Sequence, residues 1–428
     1  MLTIGSGPAA GVTSVVEIGK KAGFQNLIGL DIGGTSADVS LVYKGEARTT
    51  VEKEVEFGAA IRLPTIDITS IGAGGGSIAW IDKGGALKVG PQSAGAVPGP
   101  VCVDRGGEEP TVTDANMVLG RLNPSYLLGG ALPVNKEKAA QFISKKIAKP
   151  FGMNLYDAAK GIIKIVNNNM ANAIRRISVQ RGYDPREFVL FVFGGAGPLH
   201  AAELAKELAI PKVLVPPHPG ITSALGLLFS DIRHDFVKTL LIRSDELDKE
   251  VFSKIESSFK SLEKKAKEFL REEEIDLKNF ELQRSVDIRY WAQTHELNVP
   301  LHKEFALNTF DQLKRDFQKK HEKEFGHAGG LEDLIELVSA RIRILGKLRK
   351  PRPWFKFSKD GSVKKAFLDK RKVYWKDGFM PTSVYQRELL PMRALIRGPA
   401  IIEEMDSTTI IPPKRKAKLD KWGNILIT

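Results

Sequence analysis

Asp31-Ile-Gly-Gly-Thr-Ser-Ala-Asp38 lies between two apolar runs, and each of its residue types can do chemistry. Gly33 and Gly34 let the backbone approach an anion and turn N–H groups toward it, because a Cβ at either position would block the approach. Thr35 and Ser36 add hydroxyl donors. Asp31, at the end of the first run, is placed to hold a hydrated Mg²⁺ or to orient a water beside a phosphate, since carboxylates recruit this ion mostly through its waters. A β-hairpin with a polar turn accounts for the same residues.

Two further glycine turns follow. Phe193-Gly-Gly-Ala-Gly-Pro-Leu-His200 opens directly into an apolar helical stretch, and N–H groups at a helix start favour anions, while glycines permit a flat base or ribose to pack close. Gly72-Ala-Gly-Gly-Gly-Ser77 reads as a structured turn, because Ile78, Trp80 and Ile81 follow it, with a flexible linker as the alternative. His321 and His327 do not form a metalloprotease signature, since Phe325 stands where H-E-x-x-H needs its second histidine. No G-x-x-x-x-G-K-[ST] occurs, which excludes a P-loop. Gly5-Ser-Gly-Pro-Ala-Ala10 fits a loose dinucleotide pattern, yet only four residues precede it, too few for the strand that a βαβ unit requires.

The elements that must position these turns can be read from periodicity. LIGLDIGGTSADVSLVY predicts two strands around the first turn, and FVLFVF a buried strand before the second. Ile162, Ile163, Val166, Met170, Ile174 and Ile177 recur at helical spacing, predicting a core-facing helix that Gly182 and Pro185 end. Residues 1–235 thus read as an α/β domain. Residues 236–345 read as an α+β domain with helices over 245–275 and 307–325, and residues 346–428 as a β-rich domain punctuated by Pro and Gly.

Composition narrows the class. The chain has 428 residues, 42% of them hydrophobic, enough for two or three cores. Its single cysteine, Cys102, forbids an intrachain disulfide and suggests a reducing compartment. The N-terminal residues do not resemble a signal peptide, and no apolar run approaches the length of a membrane span, so a soluble, cytoplasmic protein is expected. A net charge of +13 invites a nucleic-acid reading, but the excess is spread through Lys-Glu mixtures such as residues 259–274, and no basic motif interleaved with aromatics appears. Neither nucleic acid nor membrane is an expected partner.

In their order and wording these segments resemble a known family. SGPAAGV, LDIGGTSADVSLV, IGAGGGSIAWID, GPQSAGAVPGPVC, EPTVTDANMVLGRL, MANAIRRISVQRGYDPREF, FGGAGPLHAAELA, VPPHPGITSALGLL and GPAIIEEMDSTTIIPP are similar, one after another, to the A-type subunit of the hydantoinase/5-oxoprolinase family. The resemblance implies the second lobe of an actin-like ATPase fold, followed by C-terminal α+β and β-rich domains. It also implies use of ATP with Mg²⁺ to phosphorylate a cyclic amide for ring opening or, in a carboxylase branch, to activate a ketone. Asp31 is then the catalytic carboxylate and metal ligand, and Gly33, Gly34, Thr35 and Ser36 face the phosphates. Gly194, Gly195 and Gly197 lie against the nucleoside, and Asp38 faces or braces the phosphate loop. Asp114, Asn116 and Arg175 match family segments without an assigned role.

The family's chain ordinarily starts with another lobe carrying its own D-x-G-G-T turn, and this sequence holds that pattern once, at Asp31. If Met1 is the true start, a separate first-lobe polypeptide is an expected partner, beside a B-type subunit. A truncated relative that binds little, or a non-catalytic scaffold subunit, are the alternatives.

Overall fold

The structure is a computed structural model that describes residues 6–50, 53–54, 60–61, 65–272, 280–346, 350, 362–376 and 378–428. Gly5 of the loose dinucleotide pattern lies outside them. Two compact units divide the chain: residues 1–229 with 351–428, and residues 230–350.

The first unit is built on a mixed sheet. Leu27–Ile32 (β1) turns back into Ala37–Tyr43 (β2) as an antiparallel hairpin, with Asp31 opposite Asp38. Val189–Phe193 (β4) lies parallel to β1, and Lys212–Val215 (β5) parallel to β4, while Ile68–Ile71 (β3) pairs with β2. Alternation of side chains across this sheet assigns each residue a face. Leu27, Val189, Phe191 and Phe193 pack under Ser6–Ala22 (α1) with Val12, Val15 and Ile18. Ile28, Leu30, Ile32, Leu190 and Val192 pack on the opposite face. Strands covered on both faces need no polar alternation, which is why β1 and β4 read as continuous apolar runs.

The second face is covered by Leu155–Ile177 (α3), whose Ile162, Ile163, Val166, Met170, Ile174 and Ile177 are all buried, as their spacing requires. Asn154 caps it by accepting from the Asp157 N–H, and Gly182 beyond its end takes a positive φ of 79°. Beside it lie Val112–Val118 (α2) and Gly197–Glu207 (α4). Thr222–Phe229 (α5) packs against α1 so closely that a Cβ on Gly226 would come within 1.8 Å of the Ala10 carbonyl oxygen.

The expectation of a separate β-rich domain over 346–428 is corrected. Lys416–Leu419 and Ile425–Ile427 extend the main sheet, the latter pairing with β5, and buried Ile396, Ala417 and Ile425 join the core of α3. A four-stranded sheet of Phe367–Trp375, Gly378–Gln386, Ala400–Glu403 and Thr408–Ile411 belongs to the same unit. Strand-rich sequence shows that strands form, while their partners lie two hundred residues away and leave no local trace.

Residues 230–350 form an α+β unit. Ile232–Arg243, Ile335–Gly346, Phe280–Tyr290 and Leu297–Leu301 make an antiparallel sheet in that order. Helices Lys249–Glu272 and Leu307–Phe325 share its core, bringing Ile255, Phe259 and Phe317 to Val286, Ile288 and Ile342. The two histidines considered for a metal lie here: His321 Nδ1 bonds the His327 carbonyl at 2.7 Å and its Nε2 lies 3.4 Å from the Gln293 side chain, the arrangement of a helix end. Among the described residues no helix is long and apolar enough to cross a membrane.

Candidate functional site

The hairpin turn between β1 and β2 is closed by the Gly33 N–H donating to the Ser36 carbonyl at 3.0 Å. Gly33, Gly34 and Thr35 are exposed, Ser36 half-buried, and nothing lies within 4 Å of a Cβ built on Gly34. The face on which an anion would settle is open. Because Gly33 spends its N–H inside the turn, an anion would be met by the groups that follow it.

The Gly72–Ser77 loop lies directly on this turn. Gly75 and Gly76 donate to the Gly33 and Gly34 carbonyls at 2.9 and 2.6 Å, and a Cβ on Gly74 would stand 2.6 Å from the Gly34 backbone. A structured turn, rather than a linker, is what these glycines make. Thr113 ties the loop to α2, its backbone N–H and its hydroxyl each donating to the Gly75 carbonyl at 2.8 Å.

The third turn joins β4 to α4 and crosses behind Asp31. Gly194 takes a φ of +81°, and a Cβ on it would lie 2.4 Å from Asp31 Oδ1. Asp31 Oδ2 accepts from the Ser223 hydroxyl at 3.0 Å. Burial pushes the Asp31 carboxyl up to about 6, opposed by that hydrogen bond and aided by the charge of Asp38. Asp38 itself accepts from the Ser70 hydroxyl, a bracing contact between β2 and β3. Gly197 packs against Val192 and serves the helix–strand joint, whereas Gly195 and Ala196 face open space.

That space is a cavity of about 770 Å³ bordered by Gly33, Gly34, Gly75, Gly195 and the segment Glu403–Thr408, among others. Asp31, Thr35, Ser36, Gly194 and Gly197 do not line it. Three glycine loops and one acidic turn, spread over more than three hundred residues of sequence, thus meet at one opening. The acidic turn was missed as a site in the sequence. Its signals were that Glu403, Glu404 and Asp406 interrupt an otherwise apolar AII…STTII pattern and that the segment GPAIIEEMDSTTIIPP carries part of the family resemblance.

In this turn Glu404 is buried against Arg387 and accepts from the His218 N–H at 3.2 Å. Burial pushes its carboxyl up to about 7, against the pull of Arg387 and with help from Asp406 and Glu388. Asp406 Oδ2 accepts from the Gly220 N–H at 2.8 Å, and Ser407 donates to the Gly195 carbonyl at 3.2 Å, fixing the turn to the start of α4.

The residues left without a role now have structural ones. Asp114 is fully buried and accepts from the N–H groups of Val101, Cys102 and Thr111 and from the Thr111 hydroxyl. Asp114→Ala would strand four buried donors, and we expect a loss of about 3 kcal/mol or more in chemical unfolding. Cys102 is buried beside it, and burial drives its thiol far up, away from reactivity. Arg175 lies on the surface, 2.8 Å from Asn172 and 3.5 Å from Glu207.

Asn116 accepts from Arg121, which pairs with Glu203; Asn167 donates to Glu203, and His200 Nδ1 to Asn167 at 2.7 Å. Burial, and then the Arg121 charge, push His200 down to about 4. An unfolded histidine takes up its proton near 6.5, so stability is lost as pH falls from there toward 4, by about 3 kcal/mol for a shift of this size. Urea unfolding at pH 7 and pH 4.5 should show a smaller acid loss in His200→Gln than in the parent chain; equal losses would refute this account.

Residues 1–236 match the family model described as hydantoinase/oxoprolinase, and residues 243–426 match the hydantoinase/oxoprolinase C-terminal domain. The chain is 43% identical over 435 residues to an uncharacterized protein of Methanocaldococcus jannaschii, covering 99% of this chain and 62% of that one. It is 36% identical over 436 residues to caprolactamase subunit alpha of Pseudomonas jessenii, covering 99% and 61%. The crystal structure of that ATP-dependent caprolactamase superposes with a TM-score of 0.81 at 35% identity, over 98% of this chain and 61% of that one. The nucleotide-free structure of acetone carboxylase, reported for ATP-dependent acetone carboxylation, superposes with a TM-score of 0.85 at 28% identity, over 99% and 61%. The α/β ATPase-like fold is shared with both. The chain spans about three fifths of the length of these relatives.

Proposed function

This chain belongs to the hydantoinase/oxoprolinase family, and from that premise we propose that it holds the phosphates of ATP in an enzyme that activates a cyclic amide for ring opening. The observation that carries the reading is the meeting of the Gly33–Gly34 turn, the Gly75 loop and the start of α4 at one cavity. An open glycine turn and a helix N-terminus facing the same space fit a polyphosphate. Mg²⁺ would be reached from Asp31 through water, since that carboxylate lies behind the turn rather than on the cavity wall.

ATP supplies a transferable phosphoryl group, which makes the amide oxygen a good leaving site. The chain's residues orient and exclude: Gly33 and Gly34 admit the phosphates, and Gly195 leaves room for the nucleoside. Asp31, poised near 6, holds the water or accepts a proton at its carboxylate. Caprolactam and acetone, which give two relatives their names, are both carbonyl compounds whose oxygen could take the phosphoryl group. A ketone-carboxylase subunit is the second reading, favoured by the superposition on acetone carboxylase. A B-type partner subunit completes the ring-opening half, in line with relatives that are themselves named as subunits.

Calorimetric titration of Mg²⁺-ATP into the chain, alone and with its partner subunit, tests the reading. Saturable binding in the assembly, with ATP hydrolysis stimulated by a lactam, hydantoin or 5-oxoproline, is expected. Stimulation by small ketones with bicarbonate instead would select the carboxylase reading, and neither binding nor hydrolysis would sink both.

A further inference from the structure

The acidic turn on the cavity wall has a second feature that phosphate binding does not use. One ligand atom each from His218, Glu404 and Asp406 lies within 4.8 Å of the others, with all three residues partly buried. Asp406 Oδ1 is closed off from solvent and has no hydrogen-bond partner, although Oδ2 of the same carboxylate is bonded to Gly220. A buried acceptor left unpaired costs about 1–3 kcal/mol, so a native fold keeps one where something else satisfies it. Glu404 and Asp406 line the cavity.

We propose that His218, Glu404 and Asp406 bind a divalent first-row transition-metal cation whose remaining coordination positions open onto the cavity. The donor set selects the class of cation: an imidazole nitrogen suits such a metal better than Mg²⁺ or Ca²⁺, which prefer all-oxygen cages, while two carboxylates keep the site hard enough for Mn²⁺. The charges agree. Glu404 is paired with Arg387, and the negative charges of Asp406 and Glu388 stand beside it, so the cluster carries room for positive charge. Secondary contacts hold the ligands in place, since Gly220 fixes Asp406 and the His218 N–H fixes Glu404. His218 stands at a positive φ of 49°, ahead of Pro219, a costly position for a residue with a side chain. A metal held here with open positions could polarise a carbonyl oxygen of a molecule in the cavity.

The site shares no residue with the Asp31 turn, and the proposal does not depend on the phosphate reading. The test is titration of Mn²⁺ into the full chain without nucleotide, followed by electron paramagnetic resonance. One Mn²⁺ per chain is expected, with hyperfine coupling to an imidazole nitrogen that vanishes in His218→Gln. Asp406→Asn should weaken binding by at least about tenfold, and Asp31→Asn should leave it unchanged. The nitrogen coupling in the parent chain keeps the test decisive even where a variant folds poorly. No bound Mn²⁺, or Mn²⁺ lacking nitrogen coupling, overturns the proposal. Binding lost in Asp31→Asn but kept in Asp406→Asn overturns it as well and assigns the ion to the glycine turn.

Discussion

On the function proposed above, Asp31→Asn is expected to lower ATP turnover by at least about 100-fold, the usual scale of losing a positioned acid or base, while making the chain more stable at pH 7. The two effects share one cause. Burial raises the Asp31 carboxyl from 3.8 to about 6, so keeping it ionised in the folded protein works against folding. For a shift of this size the penalty is up to about 3 kcal/mol above pH 6, and it fades as pH falls toward 4 and the folded carboxyl takes its proton. Asparagine carries no charge and can still accept from Ser223, so the variant should melt higher at pH 7 and level with the parent near pH 4. Thermal melts at the two pH values, with turnover measured beside them, check this. Unchanged turnover would remove Asp31 from the mechanism, and lower stability at neutral pH would remove the electrostatic account. This pH slope runs opposite to that of His200, so each must be read from its own variant.

The second large effect is at the glycine behind that carboxylate. Gly194→Ala should prevent folding or cost several kcal/mol, about 3 or more, because it imposes two separate penalties. The backbone there sits at φ +81°, which an alanine rarely adopts, and the new Cβ would stand 2.4 Å from both Asp31 Oδ1 and the Ile32 carbonyl oxygen. Gly34→Ala is its contrast, since its Cβ meets nothing within 4 Å and its φ is unstrained. We expect Gly34→Ala to leave the melting temperature within a degree or two, on the scale of surface substitutions, but to weaken Mg²⁺-ATP binding by about tenfold or more. Calorimetry on the pair decides: equal stability losses would mean that the turn is only architecture.

Much of this could be read without coordinates. The hairpin around Asp31, the buried β4 and the apolar face of α3 follow from local periodicity, because strands covered on two faces and an amphipathic helix write their burial into consecutive residues. The glycine turns were visible because only glycine tolerates such close approach, and the order of the motifs carried the family. The separate C-terminal domain was a misreading for a physical reason: Ile425–Ile427 completes the sheet of β5, and pairing between distant strands is a tertiary event.

The division at the site is similar. Sequence singled out the glycine turns, the carboxylate that stands at a strand end, and the family that the chain resembles. Only the tertiary structure decided that Asp31 lies behind its turn, raised by burial, that Asp114 and Asn116 brace the fold, and that Arg175 lies on the surface. It also brought Glu404 and Asp406 to His218, nearly two hundred residues away, at the cavity of the first glycine turn. Such chemistry depends on distances of a few ångströms between residues that share no local pattern, and those distances are fixed by packing alone.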